Sequence, residues 1–498
     1  MRFNLRFPSP FTVLFGVIII AAISTWLLPA GNYQTLSYHS EENIFIINKP
    51  TGEIEIPATE KALDSLDILI GLEKFKAGKI KKPISIPGTY QQVKADKQGI
   101  LDVIYAPIKG MYEVIDIVLF VLIIGGFIGV FNSSGAFDKS IGFLANKLKG
   151  RESVLIIIIT GLIALGGTTF GMQEETLAFY PILVPVFLAA GYDLLVPVAV
   201  IYIGSCVGIM GGTINPFGTI IASDAAGVNW TVGFVSRVAM FVLGTSAAII
   251  YITRYATRVK KDPTKSLLHR LKISSPFSVI DRKESQQKLS LGTKSLLILF
   301  GGTFVLMVYG VSFLGWWFQE MTALFLVSAV LMGFLQRTGE RNFIKDFMNG
   351  ARDLLSVSFI IGIARGVTVV LNEGKVSDTI LFYAVNAVDG MSGFLFLPAL
   401  MIMFFFLALF ISSSSGMAVV TMPIMGSLAQ VIGVPPEEIV NAYLFGFGLM
   451  NIITPTGLTL PSLAMVNVDY NTWLKFVWPL MAILGVVGCC ILWLGLFF

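Results

Sequence analysis

Apolar residues in this chain run in long blocks instead of being dispersed singly. Blocks at 11–29, 231–252, 293–314 and 473–498 each approach or exceed the roughly 20 residues with which a helix crosses a bilayer's hydrocarbon core. They predict an all-α polytopic membrane protein. The first block follows Arg2 and Arg6 as a signal peptide would. Its apolar run exceeds the 7–15 residues or so of a signal core, however, and Leu28-Pro29-Ala30-Gly31 is a poor cleavage site. A retained first helix, 1–29, is the expectation.

Other apolar stretches are interrupted. Residues 153–192 are broken by Gly166-Gly167-Thr168-Thr169-Phe170-Gly171, and 393–432 by Ser412-Ser413-Ser414-Ser415-Gly416. Two ordinary spans fit each stretch; so does a re-entrant helical hairpin with the interruption at its tip. Residues 197–226 contain Gly211-Gly212-Thr213-Ile214-Asn215-Pro216-Phe217-Gly218-Thr219, and 438–466 contain Asn451-Ile452-Ile453-Thr454-Pro455-Thr456-Gly457-Leu458-Thr459. Proline removes a backbone donor and clashes with the preceding turn, so a broken transmembrane helix is predicted in each. Glycine and proline also make simple kinks in membrane helices. Unwound backbone at membrane depth persists only where protein or a wet cavity satisfies it.

The interruptions recur in order. Residues 112–230 and 350–472 share a sequence of landmarks offset by about 240 positions. A span from near Asp116 matches one from Asp353, and an amphipathic stretch opening GAFDKSI at 135–141 matches GKVSDTI at 374–380. The tips GMQEET at 171–176 and GMAVVT at 416–421 follow. Gly191 then matches Gly433, and Tyr202, Gly208, Met210 and Pro216 match Tyr443, Gly448, Met450 and Pro455.

Charge supplies the orientation. Lysine and arginine crowd 254–272, with smaller groups at 147–151 and 336–345, and such clusters stay cytoplasmic. With the N-terminus cytoplasmic, the span at 112–131 runs inward and that at 353–371 runs outward, so the copies are inverted-topology repeats. Residues 30–110 are expected outside as a small domain with short strands such as Asn43-Ile44-Phe45-Ile46-Ile47. The expected order is a first helix at 1–29, an extracytoplasmic insertion at 30–110 and a first repeat core at 111–255. A cytoplasmic linker at 256–292 and a second repeat at 293–498 complete it. Inverted repeats are an architecture of secondary transporters, since exchanging the two halves' conformations opens one site to alternate sides.

Composition agrees: 13% of residues are charged and 55% apolar, against about 25% charged in a soluble domain. Cys206, Cys489 and Cys490 lack ligand spacing and the two histidines, His39 and His269, are far apart, so no metal site is expected. No His-Glu-x-x-His or Gly-x-Gly-Asp pattern points to an intramembrane enzyme. The expected partners are a small-molecule substrate and the bilayer, with no nucleic acid.

Some charges stand where lipid-spanning chain should have none. Glu174 and Glu175 lie at the first tip, where the second has Val419 and Val420. An acid at mid-membrane costs roughly 2.5–3.5 kcal/mol on insertion scales; in an ordinary loop it would cost nothing. Arg365 sits well inside an apolar span. It has three readings: a fork onto a substrate carboxylate, a partner acid, or snorkelling to the interface. Asp116 and Asp353, near span ends, read as anchors or caps.

These motifs resemble the YfcC branch of the DcuC/ArcD group within the ion transporter superfamily. The resemblance runs through most of the chain, in Trp26-Leu27-Leu28-Pro29-Ala30-Gly31-Asn32-Tyr33, Pro87-Gly88-Thr89-Tyr90, Gly125-Gly126-Phe127 and, most specifically, GGTTFGMQEETLAFYPILVP at 166–185. It implies inverted repeats with one hairpin and one broken helix each, binding substrate between tips and breaks, with sodium or a proton as coupling ion and no other cofactor. A homodimer through the first spans is compatible with it. Carried over by position, it points to Thr168, Thr169, Gly171, Asn215 and Thr219 in the first half, where Thr213 of the broken stretch is a further candidate for binding substrate or ion. In the second it points to Ser413, Ser414, Ser415, Asn451, Thr454 and Thr456. The superfamily's dicarboxylate carriers have Ser-Asn-Thr motifs at the tips, where this chain has Gly-Thr-Thr and four serines. The expected function is secondary transport in a bacterial inner membrane, by basic amino-acid antiport through an elevator-like movement. C4-dicarboxylate carriage is the alternative.

Overall fold

Ser9 accepts a hydrogen bond from the Thr12 N–H and Pro10 occupies the first turn, where its missing N–H costs nothing, so helix α1 runs Pro10–Leu27. It is one of six helices long and apolar enough to cross a membrane among the described residues. The others are α5 (Ile115–Ser133), α10 (Phe234–Lys261), α12 (Phe318–Gln336), α14 (Leu355–Glu373) and α20 (Tyr470–Gly495). Together with shorter apolar helices they make this a multi-pass membrane protein. The computed structural model describes residues 9–49, 52–76, 80, 83–136, 152–269, 291–314, 316–388, 391, 393–432 and 434–496. Most of the stretch 135–141 and residues 270–290 of the expected linker lie outside the described residues.

After α1 the chain leaves the helical layer for six short strands among the described residues. Strands β2 (Thr35–His39), β3 (Ile44–Lys49), β4 (Gly52–Pro57) and β5 (Ile84–Ser85) form an antiparallel sheet in the order β4-β3-β2-β5. Strands β1 (Gly31–Asn32) and β6 (Gln91–Gln92) pair separately. Leu36, Phe45 and Ile84 are fully buried against Phe75 of α3 (Leu72–Lys76), which follows the short α2 (Glu60–Asp64). The insertion is smaller than the expected 30–110. Its last strand ends at Gln92, and residues 100–110 belong to a further helix, α4 (Ile100–Glu113).

α4 and α5 meet at Val114, and their counterparts α13 (Glu340–Asp353) and α14 meet at Leu354, each start displaced by 240 residues. The spans read as starting near Asp116 and Asp353 are thus the second members of helix pairs, and Asp353 corresponds to Glu113, not to Asp116. Glycine sets how closely the pairs approach. A Cβ on Gly110 would stand 2.5 Å from the Gly362 carbonyl oxygen, one on Gly125 2.5 Å from that of Gly350, and one on Gly366 2.9 Å from that of Ala106. Residues rising along one pair meet residues falling along the other, so α4 lies antiparallel to α14 and α5 to α13. The two rods lie side by side, head to tail.

The remaining elements repeat the same plan. Helix α6 (Glu152–Phe170), a 3₁₀ turn at Glu174–Phe179 and α7 (Tyr180–Ala189) correspond to α16 (Gly393–Phe410) and α17 (Ser414–Ile432). Helix α8 (Leu195–Met210) and the short α9 (Ile221–Ala225) correspond to α18 (Pro436–Asn451) and α19 (Thr459–Ala464). α8 packs on α6 as α18 packs on α16, and α8 also packs on α18. α1 lies on α14 as α12 lies on α5. The sheet is therefore an insertion in one copy; the equivalent turn is only residues 337–339. α11 (Leu291–Phe313) has no counterpart among the described residues. The sheet docks through Gly31 N–H to the Lys375 carbonyl (2.9 Å) and Tyr33 N–H to the Asp378 carboxylate (2.9 Å) of α15 (Ser377–Val388). A second anchor is the ion pair of Lys74 with the buried Asp224 of α9.

Gly350→Leu should destabilise the protein by about 1–3 kcal/mol or more, since its side chain would enter the α5 backbone. Gly301→Leu, on α11 with nothing within 4 Å, should leave thermal stability in detergent unchanged; equal melting temperatures for the two variants would contradict the close-approach seam.

Candidate functional site

The first interruption is built by glycine and threonine. Gly171 ends α6 with φ +75°, a left-handed conformation that costs glycine nothing. α8 stops at Gly211, and Asn215 restarts the chain by accepting hydrogen bonds from the Phe217 (2.9 Å) and Gly218 (3.2 Å) N–H groups. The tip and the break are stitched together. The Thr213 N–H donates to the Thr168 carbonyl (2.9 Å) and the Thr168 hydroxyl to the Gly211 carbonyl. The Thr213 hydroxyl also reaches the Thr168 carbonyl (3.2 Å), and Thr219 caps the Gly212 carbonyl (2.7 Å). A Cβ on Gly171 would stand 2.6 Å from Asn215 Oδ1, so these two positions touch.

The second half reaches the same end with other groups. Ser413 accepts from the Gly416 N–H (3.1 Å) at the start of α17. Thr456 donates to the Leu409 carbonyl (2.8 Å) and lies 2.8 Å from the Thr454 hydroxyl. The carbonyls freed after α18 are taken by aromatic donors from outside the break: Tyr202 on Asn451, Trp473 on Ile452 (2.9 Å) and Tyr470 on Ile453.

Between the tips, the breaks and the two rods lies a cavity of about 280 Å³. The first half contributes Glu113, Asp116, Gly171, Gln173, Glu174 and Glu175; the second contributes Arg365, Ser412, Ser413, Ser414, Ser415, Asn451 and Thr456. Phe217, Trp317 and Phe318 form an aromatic wall, with the Phe217 and Trp317 rings 4.8 Å apart. Four carboxylates face one guanidinium here. Arg365 donates to Glu113 at 2.6 Å, which is the partner-acid reading of that residue. Glu175 is buried and accepts from the Gln173 N–H (3.0 Å). Asn451 is buried at the cavity and its Nδ2 has no partner among the described residues.

Of the residues singled out from the sequence, Gly171, Glu174, Glu175, Arg365, Ser413, Ser414, Ser415, Asn451 and Thr456 converge on this cavity. Thr168, Thr213, Asn215, Thr219 and Thr454 do not line it; their polar groups are engaged at the tips and breaks. Thr169 bonds its own helix at the Leu165 carbonyl (2.7 Å). Sequence reasoning set Asp116 aside and passed over Glu113, Gln173, Trp317 and the ring of Phe217. Glu113 carried a usable signal: an offset of 240 pairs it with Asp353 at a shared helix junction. The aromatic wall carried none, since phenylalanine and tryptophan are ordinary in apolar spans.

The chain matches the family described as "DcuC: C4-dicarboxylate anaerobic carrier" over residues 7–496. It is 41% identical to an uncharacterized protein of Haemophilus influenzae, covering 98% of this chain and 96% of the other. It is 28% identical to the Escherichia coli protein named "Putative basic amino acid antiporter YfcC", covering 97% and 94%. Among solved structures it is similar to the YdaH transporter of Alcanivorax borkumensis, with 14% identity, a TM-score of 0.40 and 98% of each chain covered. That last likeness is too loose to carry an assignment.

Gly171→Ala should both strain the left-handed turn and push on Asn215. A loss of about 1–3 kcal/mol, read as a lower melting temperature in detergent, is expected; Gly161→Ala, with open space around it, should be neutral.

Proposed function

We propose a function from one premise: this chain belongs to the DcuC family and is a membrane transporter. Within that family we assign it a cationic amino acid as substrate, moved by exchange. The observation that supports this reading is the charge of the cavity, four carboxylates against one arginine that is already paired. Two unit charges about 4 Å apart interact by roughly 1 kcal/mol in water and roughly 4 kcal/mol at the effective dielectric of a protein surface. A dianion placed beside Glu174 and Glu175 is repelled by that scale for each contact, and a cation is held by it.

An amino acid also carries a carboxylate and an ammonium group. The unpaired Nδ2 of Asn451 and the serines opening α17, at the positive end of a helix, suit the carboxylate. The acids at the first tip suit a guanidinium or ammonium. The aromatic wall gives a flat surface for the aliphatic stem or a guanidinium plane. The name of the Escherichia coli relative points the same way.

For movement, the glycine-packed rods α4–α5 and α13–α14 serve as the fixed frame, and the tips with their stitched breaks as the unit that slides between faces. In this reading the N-terminus is cytoplasmic, the sheet lies outside the inner membrane, and a proton or sodium ion accompanies or replaces one substrate. The second reading is C4-dicarboxylate carriage. It draws on the family description and on Arg365, Asn451 and the serine tip as carboxylate partners, and it leaves the four acids without a role.

Proteoliposome counterflow distinguishes the two. Labelled arginine should exchange and labelled succinate should not, and the double variant Glu174→Gln/Glu175→Gln should lose at least tenfold in arginine counterflow with its melting temperature kept. Succinate exchange without arginine exchange, or an undiminished double variant, would overturn the assignment.

A further inference from the structure

We propose that the outer face of α10 carries a binding site for an anionic phospholipid. A groove of about 570 Å³ opens there, away from the substrate cavity, at the seam between α10 and α6. Arg254, Arg258 and Lys261 line one end, spaced at i, i+4 and i+7 so that they share a face of the helix. All three are exposed. None forms an ion pair among the described residues.

The other end of the groove is apolar, with Ile249 and Ile250 of α10 facing Ile157 of α6. Thr253, between the two ends, has a hydroxyl without a partner. From Ile249 to Lys261 the helix rises about 18 Å. That length takes a headgroup at one end and the first half of an acyl chain at the other.

Charge decides the occupant. Basic pockets between membrane helices on the cytoplasmic side recruit anionic headgroups, and the density of lysine and arginine puts this end of α10 on that side. A phosphate meets the three cations while the acyl chains cover the isoleucines. A zwitterionic lipid would bring a second positive charge against them.

The test uses the full-length protein in a neutral detergent, titrated with phosphatidylglycerol or phosphatidylcholine and read by native mass spectrometry. Wild type should retain phosphatidylglycerol, and R254Q/R258Q/K261Q should bind it at least tenfold more weakly while phosphatidylcholine adducts stay equal. Equal retention by the variant, equal retention of the two lipids, or displacement by inorganic phosphate at matched concentration would overturn the proposal. So would a lipid-free dimer that only wild type forms. Should the triple variant fail to fold, wild type labelled with phosphatidylglycerol carrying a photoactivatable acyl chain decides: cross-links are expected at 249–261 or Ile157, and labelling only elsewhere refutes the site.

Discussion

A helix can be interrupted at membrane depth only where protein or a water-filled cavity takes over its backbone hydrogen bonds, and each half of this molecule meets that demand at its break. In the first half the solution is local. Thr168, Thr213, Asn215 and Thr219 turn their side chains onto the unwound chain and bind the first tip to the break. In the second half the breaks are served from farther away, with Tyr202, Tyr470 and Trp473 donating to three successive carbonyls. The threonines and Asn215 around the first break are for this reason largely supports. What lines the cavity beside them is small: Asn451, the serine tip and the carboxylates.

That division gives the site its character. A cavity whose walls were all satisfied would be an apolar void. Here the supports stand behind the lining, and the lining keeps its acids and one unpaired donor. The pairing of Arg365 with Glu113 neutralises the one cation across the seam of the two rods. The asymmetry between halves, acids at one tip and serines at the other, gives the cavity two chemically different ends.

The rods themselves depend on absence of side chains. Gly110, Gly125, Gly350 and Gly366 let backbones meet where any Cβ would collide, which suits a medium where helix association draws on close packing more than on hydrophobic burial. Close glycine approaches also join α6 to α8, where a Cβ on Gly208 would stand 2.3 Å from the Ala164 carbonyl oxygen.

The broad architecture was legible from residue order alone. Long apolar blocks, prolines within spans and a recurring set of landmarks are one-dimensional consequences of the bilayer's thickness and of the proline ring, so spans, interruptions and duplication could be read directly. The tip residues Gly171, Glu174, Glu175 and Ser413 through Ser415 were legible for the same reason: polar or flexible residues stand out against an apolar run. Tertiary structure alone decided which of them share a cavity and which spend themselves on backbone. Thr168 and Thr456 look alike in sequence, yet only Thr456 lines the space. It also decided that Arg365 meets Glu113, a residue 252 positions away, and that the insertion ends before α4. Hydrogen-bond partners and close approaches across hundreds of residues are set by how helices cross, and no local pattern of apolar and polar positions encodes a crossing.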